Sequence, residues 1–389
     1  MSTLRKRAAC VLSLTIGLSG LLASTAACSS SSEAAPAEAP ALPTEPTASP
    51  VDAPSPSQDE RCAAEKAVVE KILRGLRESP VLSLAVSTDT CRTQVSVVAE
   101  GAPPPGDALY RVGSVTKTFV SATMLVLERE GKLSLSDKVS KYVEGLPVLE
   151  SITLEQLLKH TSGLFNFTED PDFVTLRTTK RSPREIVETA LMTPPYFEPG
   201  MGWHYSNTNF TLLGMVIEKA TGQKVSAAIR TRVLGPAKLT RTFFDGEETL
   251  PEPLVPGFST RSRDVTHIED LSEPWAAGAM VASIGDVASY HHALFGGGLL
   301  DAASQAELVA NPAPVKGSRV RYGLGVFILD KKETLGLGPA LGHGGDIDGF
   351  HTESLHFLDH RTTISAVANQ DGVDPTEAVI AVAKALFAR

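Results

Sequence analysis

A hydroxyl and an amine three residues apart stand at the start of a helical run in this sequence. Residues 111–117 read RVGSVTK, and TFVSATMLVLEREGKL follows with apolar positions at helical spacing as far as Gly131. Ser114 then falls in the first turn, with Lys117 at i+3 on the same face. A serine hydroxyl is a weak nucleophile until a neighbouring base takes its proton. Burial on an otherwise apolar helix would lower the Lys117 pKa and supply a neutral amine. The helix N-terminus would favour negative charge on Ser114 Oγ and on an oxyanion beside it. S-x-x-K alone is a weak signal in a chain of 389 residues. A Ser114 that caps the helix and a Lys117 that reaches solvent would satisfy it equally.

Two further segments carry groups that complement this pair. Residues 197–207 read FEPGMGWHYSN, where Pro-Gly marks a turn. Tyr205 and Asn207, two apart in extended backbone, point to one side. A phenol and an amide converging on a cleft can relay a proton and hold a substrate amide. The alternative is a packed Tyr205 and an Asn207 capping a helix that starts near Thr208. Residues 341–350 read LGHGGDIDGF, just before a strand. Its glycines permit close backbone approach, and His343 can donate or shuttle a proton. Otherwise it is a glycine-rich connection with a surface histidine.

The elements around these segments predict an α+β fold. Residues 61–77 have helical periodicity, and VLSLAVSTD and QVSVVAEG read as a hairpin. Near the C-terminus GLGVFILD (323–330), TESLHFLD (352–359) and TTISAVAN (362–369) read as strands, the last two joined by a tight turn at His360-Arg361. Asp374 and Pro375 open a closing helix. Residues 115–275 are mostly helical. Sheet-forming ends around a helical middle give one antiparallel sheet flanked by helices, with a mostly helical second lobe. The site belongs between the lobes.

Composition is that of a globular protein, 42% apolar and 21% charged. The net charge of −9 excludes nucleic acid as the main partner. Residues 1–27 form a secretory signal, with Arg5, Lys6 and Arg7 ahead of an apolar stretch that ends in small residues. Residues 28–58 are a Ser/Ala/Pro-rich disordered tether. Residues 59–389 are one catalytic domain without internal repeats. Cys62 and Cys91 form an even pair in an oxidising compartment. A helix of about 16 residues runs ~24 Å, and a strand of about eight returns ~26 Å. The two cysteines therefore meet at one end, which predicts a disulfide. His291, His292, His351, His356 and His360 fit no strong ligand spacing, so no metal or organic cofactor is expected.

The signal resembles that of a bacterial lipoprotein, with Cys28 the lipidated residue. This implies a lipid anchor to a membrane and a place in the cell envelope. In order and separation, S-x-x-K, Y-x-N and H-G-G resemble the serine β-lactamase and penicillin-binding-protein superfamily. The resemblance covers about residues 60–389 and includes LLKHTSGL (157–164) and AAGAMVASIGDVASY after Trp275. It is closest to D-alanyl-D-alanine carboxypeptidases and class C β-lactamase-like esterases.

The resemblance implies an acyl-enzyme on Ser114, acid–base work shared by Lys117 and Tyr205, and a substrate amide held by Asn207. It places His343 where relatives carry Lys or His. The oxyanion would lie between the backbone N–H groups of Ser114 and Asp346, with Gly345 beside it and Phe173 and Trp275 as aromatic cleft walls. His160 would be structural. The substrate implied is a peptidoglycan-type peptide or a small ester or amide. Alternatives are an esterase or β-lactamase, or a non-catalytic penicillin- or peptidoglycan-binding domain. The chain departs from the carboxypeptidase pattern at Gly344 and Asp346, where those relatives read H-T-G-T. It also lacks their carboxylate-binding Arg, since residues 326–329 read VFIL. Both departures shift the expected substrate toward a neutral ester or amide.

Overall fold

The computed structural model describes residues 57–76, 80–99, 101, 104–172, 179–252, 254–267 and 273–388. The signal, Cys28, most of the tether and Phe173 lie outside them. Helix α1 (Gln58–Leu73) starts at a Ser57/Glu60 capping box, so the chain is helical from the last residue of the predicted tether. Strands β1 (Val81–Ser87) and β2 (Arg92–Val98) follow as the expected hairpin. Cys62 on α1 and Cys91 at the hairpin turn are joined as a disulfide, their Cα atoms 5.5 Å apart.

The principal sheet has eight strands, all antiparallel, in the order β2-β1-β11-β10-β9-β8-β7-β6. Its C-terminal members are β6 (Ala313–Pro314), β7 (Arg321–Tyr322), β8 (Phe327–Leu329), β9 (Ala340–Ile347), β10 (Phe350–Phe357) and β11 (Thr362–Ala368). A second sheet of three short strands comprises β3 (Tyr110–Arg111), β4 (Thr242–Phe244) and β5 (Met280–Ala282) in the order β3-β5-β4.

Between β3 and β5 lie α2 (Thr116–Arg129), α3 (Leu154–Leu158), α4 (Pro183–Leu191), α5 (Asn207–Thr221), α6 (Val225–Ile229) and α7 (Trp275–Gly278). These make the predicted helical lobe. Helices α8 (Ile284–Gly296) and α9 (Ala302–Leu308) follow β5, and α10 (Thr376–Phe387) closes the chain. One apolar cluster lies between the sheet and α1 and α10, and a larger one fills the helical lobe and reaches the other sheet face. Helix α2 is buried from Thr116 to Leu127, the pattern of a central helix rather than a surface one.

Three expectations need correction. The strand read over 323–330 is only Phe327–Leu329. A side chain at Gly325 would sit 1.9 Å from Ser121 Oγ, and its N–H bonds to Leu158 O, which draws 323–325 off the ladder. The glycine-rich segment placed before a strand is itself strand β9, paired with β10 along its whole length. Glycine is there because a Cβ at Gly342 would come within 2.0 Å of Ser354 O. The closing helix starts at Thr376, one residue later than expected, with Pro375 rather than Asp374 in the cap position, although Asp374 Oδ1 accepts from Thr376 N at 2.8 Å.

Candidate active site

Ser114 sits in a single 3-10 turn, Gly113–Val115, that leads into α2. The turn is pressed against β9. Gly113 has φ +50°, and a Cβ there would lie 2.8 Å from Asp346 N. A Cβ on Gly345 would lie 2.0 Å from Val112 O and 3.1 Å from Ser114 N. Only bare backbone lets the two segments approach this closely. The backbone nitrogens of Ser114 and Asp346 are therefore both held at the contact between the two segments.

Lys117 is fully buried. Its Nζ donates to Ser114 Oγ at 2.9 Å and to Ala277 O, on α7, at 2.7 Å. The same nitrogen lies 4.9 Å from the Tyr205 ring centre and 5.5 Å from that of Phe210. Ser114 and Lys117, from one turn-and-helix segment, are thus brought together with Tyr205 from a second.

Ser206, extended at φ −140°, precedes α5 and lets Tyr205 and Asn207 fall on one side. Asn207 opens α5, with Ser206 in the cap position. Its backbone N–H donates to Asn166 Oδ1 and its amide to Thr168 Oγ1 at 3.3 Å. Asn166 also donates to Glu169 Oε1, whose other oxygen accepts from Tyr196. A carboxylate therefore stands close to the Asn207 corner.

His160, read as structural, has that geometry. Its Nδ1 accepts from Ser206 N–H at 3.2 Å, and its ring lies 4.3 Å from that of Tyr205. Burial, aided by the Lys117 charge, lowers its pKa well below the ordinary value, so the ring stays neutral.

His343 on β9 is buried. Nδ1 faces Gly344 O at 2.5 Å and Nε2 faces the Tyr322 hydroxyl at 2.9 Å. A carbonyl only accepts, so Nδ1 carries the proton, and Nε2 accepts from Tyr322. Burial and the Lys117 charge lower its pKa to about 3, against the pull of the Gly344 carbonyl. Its ring is 5.0 Å from Phe327 and 6.2 Å from Tyr205. Tyr322 escaped the sequence reading. No motif marks it, and only the fold sets its hydroxyl against His343.

The Asp346 carboxylate is bonded to His351 Nδ1, its cross-strand neighbour. Gly344 and Glu353 share that sheet face, and Glu353 Oε2 accepts from Thr376 of α10 at 3.4 Å. Alternation along β9 puts Asp346 on the α10 face, opposite to the direction of Gly345. Trp275 is no cleft wall. Its indole is 6% exposed, packs where a Gly214 side chain would stand, and donates to Glu247 Oε1 at 2.8 Å. The small residue in α5 makes room for it inside the helical lobe. Among the described residues no cluster of His, Cys, Asp and Glu is arranged to hold a metal.

Comparisons with known proteins agree with this geometry. The chain is 27% identical over 310 residues to penicillin-binding protein 4* of Bacillus subtilis (strain 168), covering 74% of this chain and 66% of the relative. It is 30% identical over 221 residues to the putative penicillin-binding protein PbpX of the same organism, covering 56% and 53%. The chain thus spans half to two thirds of the length of these curated relatives. A D-stereospecific amidohydrolase from Streptomyces sp. has a similar structure, with 32% identity and TM-score 0.71 over 82% of this chain and 97% of that one. So does the D-amino acid amidase from Ochrobactrum anthropi SV3, with 26% identity and TM-score 0.75 over 84% and 99%. The Beta-lactamase family model matches residues 69–389, and the chain belongs to that family of serine hydrolases.

Proposed function

We propose that this protein hydrolyses a D-configured amide through an acyl-enzyme on Ser114. The observation that carries the reading is the contact of buried Lys117 Nζ with Ser114 Oγ at 2.9 Å, beside two backbone N–H groups brought together by Gly113 and Gly345. Ser114 Oγ bonds to the substrate carbonyl carbon while its proton passes to the Lys117–Tyr205 pair. The carbonyl oxygen becomes an oxyanion between the N–H groups of Ser114 and Asp346. The C–N bond then breaks as the leaving nitrogen takes the proton. Water attacks the ester, its proton returns through the same pair, and the acid leaves with Ser114 restored.

Asn207 suits a substrate amide, and Glu169 near it favours a neutral or cationic substrate end over an anionic one. Phe327, near His343, stands on the strand where carboxypeptidases carry the carboxylate-binding Arg. Both features support a D-amino acid amide ahead of a D-alanyl-D-alanine terminus, in keeping with the two amidase-like structures. Intact-mass measurement after incubation with a D-amino acid amide, a D-Ala-D-Ala peptide, a penicillin and a simple ester tests this. The expected result is turnover of the D-amide, with a Ser114 adduct trapped by fluorophosphonate and lost in Ser114→Ala. Labelling that survives in that variant would remove Ser114 from the reaction.

A further inference from the structure

The β9–β10 hairpin carries a charged group that the acyl-enzyme scheme does not use. His351 on β10 bonds through Nδ1 to the Asp346 carboxylate. Its Nε2 accepts from Gly372 N–H at 3.3 Å in the neutral ring, while Asp371 Oδ1, 3.7 Å away, is the partner that nitrogen has when it carries a proton. Asp371 also accepts from Gly349 N–H at 2.8 Å, in the turn between the two strands. The turn is clamped from the other side, since a Cβ on Gly349 would meet Gly257 at 2.7 Å. Further along the same face stand Glu353 on β10, whose pKa is raised by burial and then by Asp374, and Asp374 itself, just before α10. The groups facing His351 are therefore all acidic.

Asp346 is the residue whose backbone N lies against Gly113, next to the nucleophile. Its carboxylate stands on the opposite face of β9, but only three bonds from that N–H. A free negative charge there would oppose the oxyanion that its own N–H stabilises. We propose that His351 is a positioning residue, which by pairing with the Asp346 carboxylate both neutralises that charge and fixes the β9 backbone N–H toward Ser114. The inference rests on the acyl-enzyme reading. Burial works against a proton on His351, but the Asp346 and Asp371 carboxylates outweigh it and push the pKa up to about 9. The pairing therefore holds through neutral pH and weakens as pH rises through that value.

The test combines kinetics and NMR on the whole chain. His351→Ala is expected to lower kcat about tenfold or more with KM changed less than about threefold, the pattern of an interaction made in the transition state. Adding Asp346→Asn to that variant is expected to restore kcat to within about threefold of the native value, because the uncompensated charge is gone. A purely structural His351 would show no such rescue. Independently of turnover, the His351 ring in the native chain is expected to titrate near pH 9, and about one unit or more lower in Asp346→Asn. An unchanged kcat in His351→Ala, a failed rescue, or a ring that titrates at its ordinary value would each overturn the proposal. A native protein with these NMR shifts but no turnover would overturn the acyl-enzyme reading and leave the ion pair standing.

Discussion

At the scale of single residues, His343 and Tyr205 divide the work that sequence reasoning gave to both. The Tyr205 ring centre lies 4.9 Å from Lys117 Nζ, the amine that contacts Ser114 Oγ. His343 has both ring nitrogens engaged, and its pKa is lowered to about 3 by burial and by Lys117. It stays neutral across the working range and carries no acid limb. In His343→Gln, kcat/KM is expected to fall while the acidic midpoint of its pH profile stays in place, measured from pH 4 to 8. A midpoint that moves in the variant would make His343 a titrating catalyst. The residue types were legible because the chemistry restricts them: few side chains can act as nucleophile, amine and phenol. The tautomer of His343 was not, because it depends on Tyr322, which is 21 residues away and unmarked by any motif.

At the scale of elements, the site is the seam between the 3-10 turn of Ser114 and the edge of β9. The segment G-H-G-G (342–345) was placed before a strand because strands seldom hold three glycines within four positions. Each glycine is explained only by what it meets. A methyl at Gly345 would overlap Val112 O at 2.0 Å, a backbone atom with nowhere to go. A methyl at Gly344 would meet Glu353 Oε2 and Thr352 O at 3.4 Å, an ordinary contact. Gly345→Ala should therefore push the nucleophile turn off β9, at a cost of about 1–3 kcal/mol by analogy with overpacked cores. Its rate of Ser114 labelling is expected to fall tenfold or more, while Gly344→Ala labels at close to the native rate. Equal rates in the two variants would refute the seam. The hairpin, the closing helix and the Cys62–Cys91 link were readable beforehand, since alternation, capping residues and element lengths are local signals. Trp275 was misplaced for the opposite reason: its burial depends on Gly214, a small residue distant in sequence.

At the scale of the whole molecule, the buried ionisable groups set where the fold is most stable. His343, His291 and His356 are each no more than 2% exposed. Burial lowers their pKa values, to about 3 for the first two and about 4 for the third. All are neutral in the fold, whereas the unfolded chain protonates them near pH 6.5. Their contribution is complete above that pH and is lost as pH falls, by up to about 1.4 kcal/mol per unit for each histidine. Two groups act in the other direction. Burial and Asp374 raise Glu353 to about 8, so the fold keeps a proton that the unfolded chain releases above about pH 4.5. His351, raised to about 9, holds its proton while the unfolded chain loses it above about 6.5. Both withdraw stability as pH rises. His160, whose pKa burial also lowers, makes four groups against one on the acid side and two on the alkaline side, so the acid slope is the steeper and the maximum falls near pH 6.5. Thermal melts from pH 4 to 10 should therefore give a highest Tm between about 6 and 7, with a steeper fall on the acid side. Glu353→Gln, which mimics the protonated carboxyl, should flatten the alkaline side and steepen the acid side between about pH 4.5 and 6.5, where Glu353 opposes the histidines. A native Tm that is still rising at pH 8.5, or an alkaline slope untouched by Glu353→Gln, would show that these buried groups do not control the stability of the fold.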